Sequence, residues 1–250
     1  MIVLITGATA GIGKASAEIF AKNGHDLVIT GRRKERLQIL AEELINTYNI
    51  NVLTLCFDVR KAEEVKTNIA SLPAEFKNID VLLNNAGLSS GLSTLQEGNT
   101  TDWDVMIDTN VKGLLYITRQ IAELMIARKK GHIINMGSIA GKEVYPNGNV
   151  YCATKFAVDA LTKAMRIEML PHNIKVSSIN PGMVETEFSI VRFHGDEDRA
   201  KKVYEGIQPL VAEDIAETIY WIASRPPHVN INEVVIMPTA QANTTTLIRK

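Results

Sequence analysis

Tyr151 and Lys155 stand four residues apart in the segment NVYCATKFAV, residues 149–158. On a helix that spacing places two side chains one above the other on a single face. The rest of the segment is small and apolar, so the pair belongs to no charged surface pattern. An ordinary neighbour pair on a half-exposed helix would account for the spacing by itself. The chemical reading is proton transfer. A free tyrosine titrates at about pH 10, too high for a good base at neutral pH. A lysine cation one turn away would stabilise the phenolate and lower that value. Which reading holds depends on the elements around the pair.

Those elements alternate. Short apolar runs lie at 2–6, 26–30, 51–57, 79–85, 131–138, 174–180 and 233–237. Amphipathic stretches with helical periodicity lie between them, at 11–24, 34–48, 61–71, 102–129, 150–170 and 212–224. Near-continuous apolar strands separated by helices predict a parallel sheet covered on both faces. The expectation is one doubly wound α/β domain of the Rossmann type over residues 1–250, with seven parallel strands. No linker, repeat or low-complexity stretch divides it. The stretch 185–210 breaks the beat and is the expected substrate lid. Ligands in such sheets bind beyond the carboxyl ends of the strands.

The first strand runs into TGATAGIG, with Gly7, Gly11 and Gly13 spaced Gly-x3-Gly-x-Gly. Glycines there let the backbone approach a pyrophosphate, and the following helix presents free N–H groups. The second strand ends in TGRR. Where a dinucleotide-binding chain commonly offers an acidic residue to the ribose, this one has Gly31, then Arg32 and Arg33. Two guanidiniums suit a 2′-phosphate, which points to NADP rather than NAD; opening a solvated helix is their bland role. Asp58, after the third strand, can accept from an adenine amino group, cap the next helix, or do both. The fourth strand ends in NNAG, residues 84–87, whose amides can bridge strand ends and whose Ala-Gly pair leaves room for a ribose. Ser138 follows the fifth strand. Pro181-Gly182 turns the chain after the sixth, into a loop able to close over a nicotinamide.

Bulk composition removes other classes. The formal charge is −1, and Lys and Arg cluster only at 32–34 and 128–130, so nothing favours nucleic acid. Two cysteines, Cys56 and Cys152, make no disulfide framework and fit a reducing compartment. The N-terminus lacks the basic region of a signal peptide, and no apolar run reaches membrane-spanning length. A soluble, cytoplasmic protein is expected. The five histidines show no metal-ligand spacing, so no metal is expected. Ser138 is not in a G-x-S-x-G elbow. Cys152 points about 100° away from Tyr151 around the helix and reads as a packed thiol.

TGATAGIG, NNAG, Ser138 and YCATK, with thirteen positions from Ser138 to Tyr151, together resemble the short-chain dehydrogenase/reductase family, in its motif order and essentially end to end. The resemblance implies hydride transfer between NAD(P) and an alcohol or carbonyl. It implies a catalytic set of Asn110, Ser138, Tyr151 and Lys155. Tyr151 would be the acid/base, tuned by Lys155 together with the positive charge of the oxidised nicotinamide; Lys155 would also hold the nicotinamide ribose, and Ser138 would bind the substrate oxygen. Asn110 would hold a water linking Lys155 to solvent. The expected cofactor site comprises Gly7, Thr9, Gly11, Ile12, Gly13, Arg32, Arg33, Asp58, Val59, Asn85, Tyr151, Lys155, Pro181, Gly182, Val184 and Thr186.

The segments GRRKERL, TEFSIVRFHGDEDRAKKVYEG and PPHVNINEVVIMPTAQ resemble one subgroup, the NADP-dependent serine or 3-hydroxy acid dehydrogenases. That implies small β-hydroxy acids such as serine, allo-threonine and 3-hydroxypropionate, with malonic semialdehyde in reverse. Arg192, in the expected lid, is the candidate partner for their carboxylate; a mobile surface arginine is the alternative. A reductase of a bulkier ketone or quinone, and an NADP-binding sensor without turnover, are the competing functions. Leu114, Leu115, Ala157, Ala160, Leu161 and Ala164 suggest helix packing between subunits, and the resemblance implies a homotetramer.

Overall fold

Successive residues of a strand point to opposite faces, and the strands of this chain bury both. The computed structural model describes residues 1–250. Its elements run β1 (Ile2–Ile5), α1 (Gly11–Lys22), β2 (Asp26–Gly31), α2 (Lys34–Tyr48), β3 (Val52–Cys56), α3 (Ala62–Ala70), β4 (Val81–Asn84) and α4 (Thr100–Ile107). Then come α5 (Leu114–Arg128), β5 (Gly131–Met136), α6 (Asn149–Met169), β6 (Ile174–Pro181), α7 (Phe188–Arg192), α8 (Glu197–Lys202), α9 (Ala212–Ala223) and β7 (Glu233–Ile236).

All strand pairs are parallel, in the order β3-β2-β1-β4-β5-β6-β7. This is the expected seven-stranded Rossmann-type sheet. Val3 and Ile5 of β1 face a core shared with Phe20 of α1, Leu37 and Leu44 of α2, and Ile219 of α9. Leu4, one residue away, faces the opposite core with Val65 of α3, Ile121 of α5 and Val158 of α6. The strand order reverses between β1 and β4, and the carboxyl ends there open a crevice, the usual ligand position in such sheets.

Two expectations change in the tertiary structure. The helix expected over 102–129 is interrupted by a π turn at Asp108–Gly113. Asn110 sits in that turn and spends its amide off its own helix: Nδ2 donates to Leu88 O (2.8 Å) and Thr154 Oγ1 (3.0 Å), while Oδ1 accepts from Leu88 N (2.9 Å). Those three bonds hold the inserted residue in place, as such bulges require. Leu114, expected between subunits, is instead buried in this chain's own core, whereas Leu115 beside it is exposed. Adjacent helical residues point about 100° apart, so only one can face outward.

Candidate active site

A single cavity of about 500 Å³ opens over the carboxyl ends of the strands. Every expected site residue lines it except Gly13 and Asn110, which stand just behind its wall. The first loop forms one end. Gly7 has φ +68° and Gly11 φ +50°, backbone that side-chain-bearing residues rarely adopt. A Cβ at Gly13 would lie 2.3 Å from Gly7 O and 2.5 Å from Asn85 Nδ2, so α1 must begin without one to pack this close. Asn85 ties the loop down by donating to Thr6 O (2.9 Å) and Gly7 O (3.1 Å). Ala10 gives α1 no side-chain cap, which leaves the helix N-terminus open to an anion.

The cationic rim follows from β2. A Cβ at Gly31 would press on Thr9 Cγ2 at 2.9 Å, so the position suits glycine better than an acid reaching for ribose hydroxyls. Arg33 donates through Nε and Nη2 to Thr9 Oγ1 (3.1 and 2.8 Å) and through Nη1 to Glu187 (3.0 Å). Arg32 stands 4.0 Å from the Asp58 carboxylate. Asp58 does not cap α3. Its carboxylate accepts from Arg60 N (3.0 Å) and from the Arg60 guanidinium, while the α3 N-cap, Lys61, has no side-chain cap at all. Burial works against the Asp58 charge, but the Arg60 hydrogen bonds and charge hold its carboxyl below the usual range. The asparagines bridge strand ends as expected, with Asn84 Nδ2 donating to Asn135 Oδ1 at 2.9 Å.

At the other end Ser138, Tyr151 and Lys155 converge. Ser138 Oγ accepts from Ala140 N (3.0 Å), which fixes its rotamer, and Ser138 and Tyr151 line the same end of the cavity. Lys155 Nζ donates to Met136 O (2.8 Å), a carbonyl at the very end of β5. Burial lowers the Lys155 amine from 10.5 to about 8. Burial pushes Tyr151 well above its ordinary value, and the opposing pull comes from Arg192 and Ser138. Cys152 is a buried, packed thiol, as expected.

Arg192 reaches this end from α7. Its Nη2 donates to Tyr145 Oη (2.9 Å), and its guanidinium carbon lies 5.0 Å from the Phe188 ring centroid and 5.3 Å from that of Tyr151. Its Nε is buried and makes no hydrogen bond. Three residues that sequence reading passed over also line the cavity: Tyr145, Phe188 and Gln241. Tyr145 had a weak signal, an aromatic in the polar loop between Ser138 and Tyr151. Gln241 had none; its Oε1 accepts from Met183 N across 58 residues of sequence (2.9 Å).

The profile of the short chain dehydrogenase family matches residues 1–196. The chain belongs to the short-chain dehydrogenase family. It is 49% identical over 243 residues to the NADP-dependent 3-hydroxy acid dehydrogenase YdfG of Salmonella typhi, covering 97% of this chain and 96% of that relative. It is 41% identical over 240 residues to the serine 3-dehydrogenase of Rhizobium radiobacter, covering 96% and 94%. Among solved structures it superposes with a TM-score of 0.93, at 44% identity and full coverage of both chains, on a closed form of serine dehydrogenase complexed with NADP⁺. On the serine dehydrogenase of Escherichia coli the TM-score is 0.83, at 41% identity, covering 97% of this chain and all of that one.

Proposed function

We propose that this short-chain dehydrogenase is an NADP-dependent oxidoreductase of small 3-hydroxy acids, among them serine, allo-threonine and 3-hydroxypropionate, with malonic semialdehyde in reverse. One observation carries the choice of substrate: a guanidinium with a buried, unpaired Nε stands beside the Tyr151 ring in the cavity. A carboxylate is the natural partner for such a group. A hydroxyl three bonds from that carboxylate's carbon would then fall near Ser138 and Tyr151. The relatives' names point the same way.

The residues present fit the cofactor. The glycine loop and uncapped helix suit a pyrophosphate, and Arg32 and Arg33 suit a 2′-phosphate where Gly31 stands. When bound, NADP⁺ supplies the hydride acceptor. Ile12, Asn85, Pro181, Gly182, Val184 and Thr186 would wall its groove, with Asp58 and Val59 at the adenine end. Ser138 would hold the substrate hydroxyl, and Tyr151 would take its proton as hydride leaves carbon. Lys155 would hold the ribose. With the Asn110 amide committed to Leu88 and Thr154, the backbone of its π turn is the group left to carry a water toward Lys155. Segment 185–210 would act as the lid. The exposed faces of α4, α5 and α6, bearing Ile107, Leu115 and Phe156, would pack between subunits of a homotetramer. No helix is long and apolar enough to cross a membrane, which is compatible with a cytoplasmic site of action.

The test is a panel of initial rates with NADP⁺ and, separately, NAD⁺ on L-serine, L-allo-threonine and 3-hydroxypropionate, with Tyr151→Phe alongside. Turnover of the acids with NADP⁺ well ahead of NAD⁺ is expected, and Tyr151→Phe should lose at least about a hundredfold in kcat while still binding NADPH. No turnover of any acid would reject the substrate class, and an active Tyr151→Phe would reject the proton-transfer role.

A further inference from the structure

We propose that Arg192 plays a second part as the cation that activates Tyr151, and that docking of the lid delivers it. The inference rests on Tyr151 being the acid/base. Six groups that titrate, carry charge or bear a hydroxyl surround that side chain. On its own helix are Cys152 and Lys155, the latter with Nζ 5.9 Å from the ring centroid. Ser138 comes from the end of β5 and Tyr145 from the loop before α6. Asp102 of α4 shares a water-sized cavity with Tyr151 and is paired with His194 at 3.3 Å. Arg192 of α7 completes the set, with its guanidinium carbon 5.3 Å from the ring centroid.

Among these the two cations differ in kind. The Lys155 ammonium is turned to Met136 O, and burial makes it easy to deprotonate. A guanidinium keeps its charge at every working pH. A phenolate spreads its negative charge into the ring, so a cation against the ring stabilises the ionised form more than the neutral one. Arg192 also pulls the Tyr151 value down against the burial that raises it.

The lid holds Arg192 in this position. Gly91 N donates to Arg192 O (2.9 Å), binding α7 to the loop after β4, and His194 grips Asp102 from the next turn. Phe188 and Tyr145 then confine the guanidinium. Undocking the segment would withdraw the cation and make the Tyr151 phenol harder still to ionise. Base strength and closure are thus one event, so the base forms where bulk water is excluded.

The test replaces Tyr151 with 3-fluorotyrosine, whose more acidic phenol reports its ionisation by fluorine NMR in the cofactor-free protein. The midpoint is compared among the native Arg192, Arg192→Lys and Arg192→Met backgrounds, with melting temperatures to establish folding. Arg192→Met is expected to move the midpoint up by about one unit, equal to a tenfold loss of phenolate at a given pH, and Arg192→Lys to move it less. In parallel, kcat/KM for methyl 3-hydroxypropionate, which has no carboxylate to anchor, should fall about tenfold in Arg192→Met, with its rising limb displaced to higher pH. An unmoved midpoint and an unmoved ester limb, with KM for the free acid raised, would overturn the activating role and leave Arg192 a carboxylate anchor. Failure of Tyr151→Phe to lose activity would instead remove the proposed chemistry, so the two failures are distinguishable.

Discussion

Lys155→Met should make this protein more stable and inactive. The Lys155 amine is buried, and its shift from 10.5 to about 8 means that the folded state disfavours the charged form. At neutral pH that charge costs about 3 kcal/mol relative to the unfolded chain. Methionine of similar length removes the cost but forfeits the hydrogen bond to Met136 O. That bond is worth about 1.5–3 kcal/mol for a charged donor. The difference is a net gain of up to about 1.5 kcal/mol at pH 7, or up to about 5 °C in Tm for a chain of this size.

The sign with pH is definite. Between about 8 and 10.5 the unfolded lysine binds a proton that the folded one does not, so native stability rises with pH across that window. The variant lacks that rise, and its advantage should shrink toward the alkaline end. Urea and thermal melts of both proteins at pH 7 and pH 10, in the absence of cofactor, measure this directly. A variant that melts below the native protein at pH 7, or a stability gap that is the same at both pH values, would refute the reasoning. Stability gained where activity is lost is the pattern expected of a residue held against its solvation preference for function.

Other substitutions probe the cofactor end. Arg33→Met should weaken NADPH binding by about 10- to 100-fold, the loss of one or two charge-assisted hydrogen bonds at a half-exposed site. NADH binding should move little, and fluorescence titration of both cofactors separates a 2′-phosphate contact from general damage. Gly13→Ala places a methyl 2.3 Å from Gly7 O, and the backbone cannot yield cheaply. A loss of about 1–3 kcal/mol in stability is expected, together with collapse of affinity for either cofactor, both read by melts with and without NADPH. A variant with native melting and native affinity would mean that the loop is looser than its packing implies.

Much of this protein is written in local pattern. The seven apolar runs became seven parallel strands within a residue or two at most ends, because a strand buried on both faces cannot alternate in polarity. The glycine loop, the arginines after β2 and the Tyr151–Lys155 turn lie in short motifs whose geometry is set by their own elements, so their convergence in one cavity followed once the strand order was known. Tertiary structure decided the rest. Asn110 interrupts its helix only because Leu88 and Thr154 lie across from it, 22 and 44 residues away in the chain. Asp58 turned to Arg60 rather than to a helix end, a choice between two local partners that composition cannot rank. The electrostatics of Tyr151 were the least legible of all. A lysine one turn away is visible in sequence, but its distance from the phenol, the burial that raises the phenol, and the guanidinium arriving from α7 are facts of packing. Spacing determines which side chains share a face; only the folded chain determines how dry that face is and which charge stands over it.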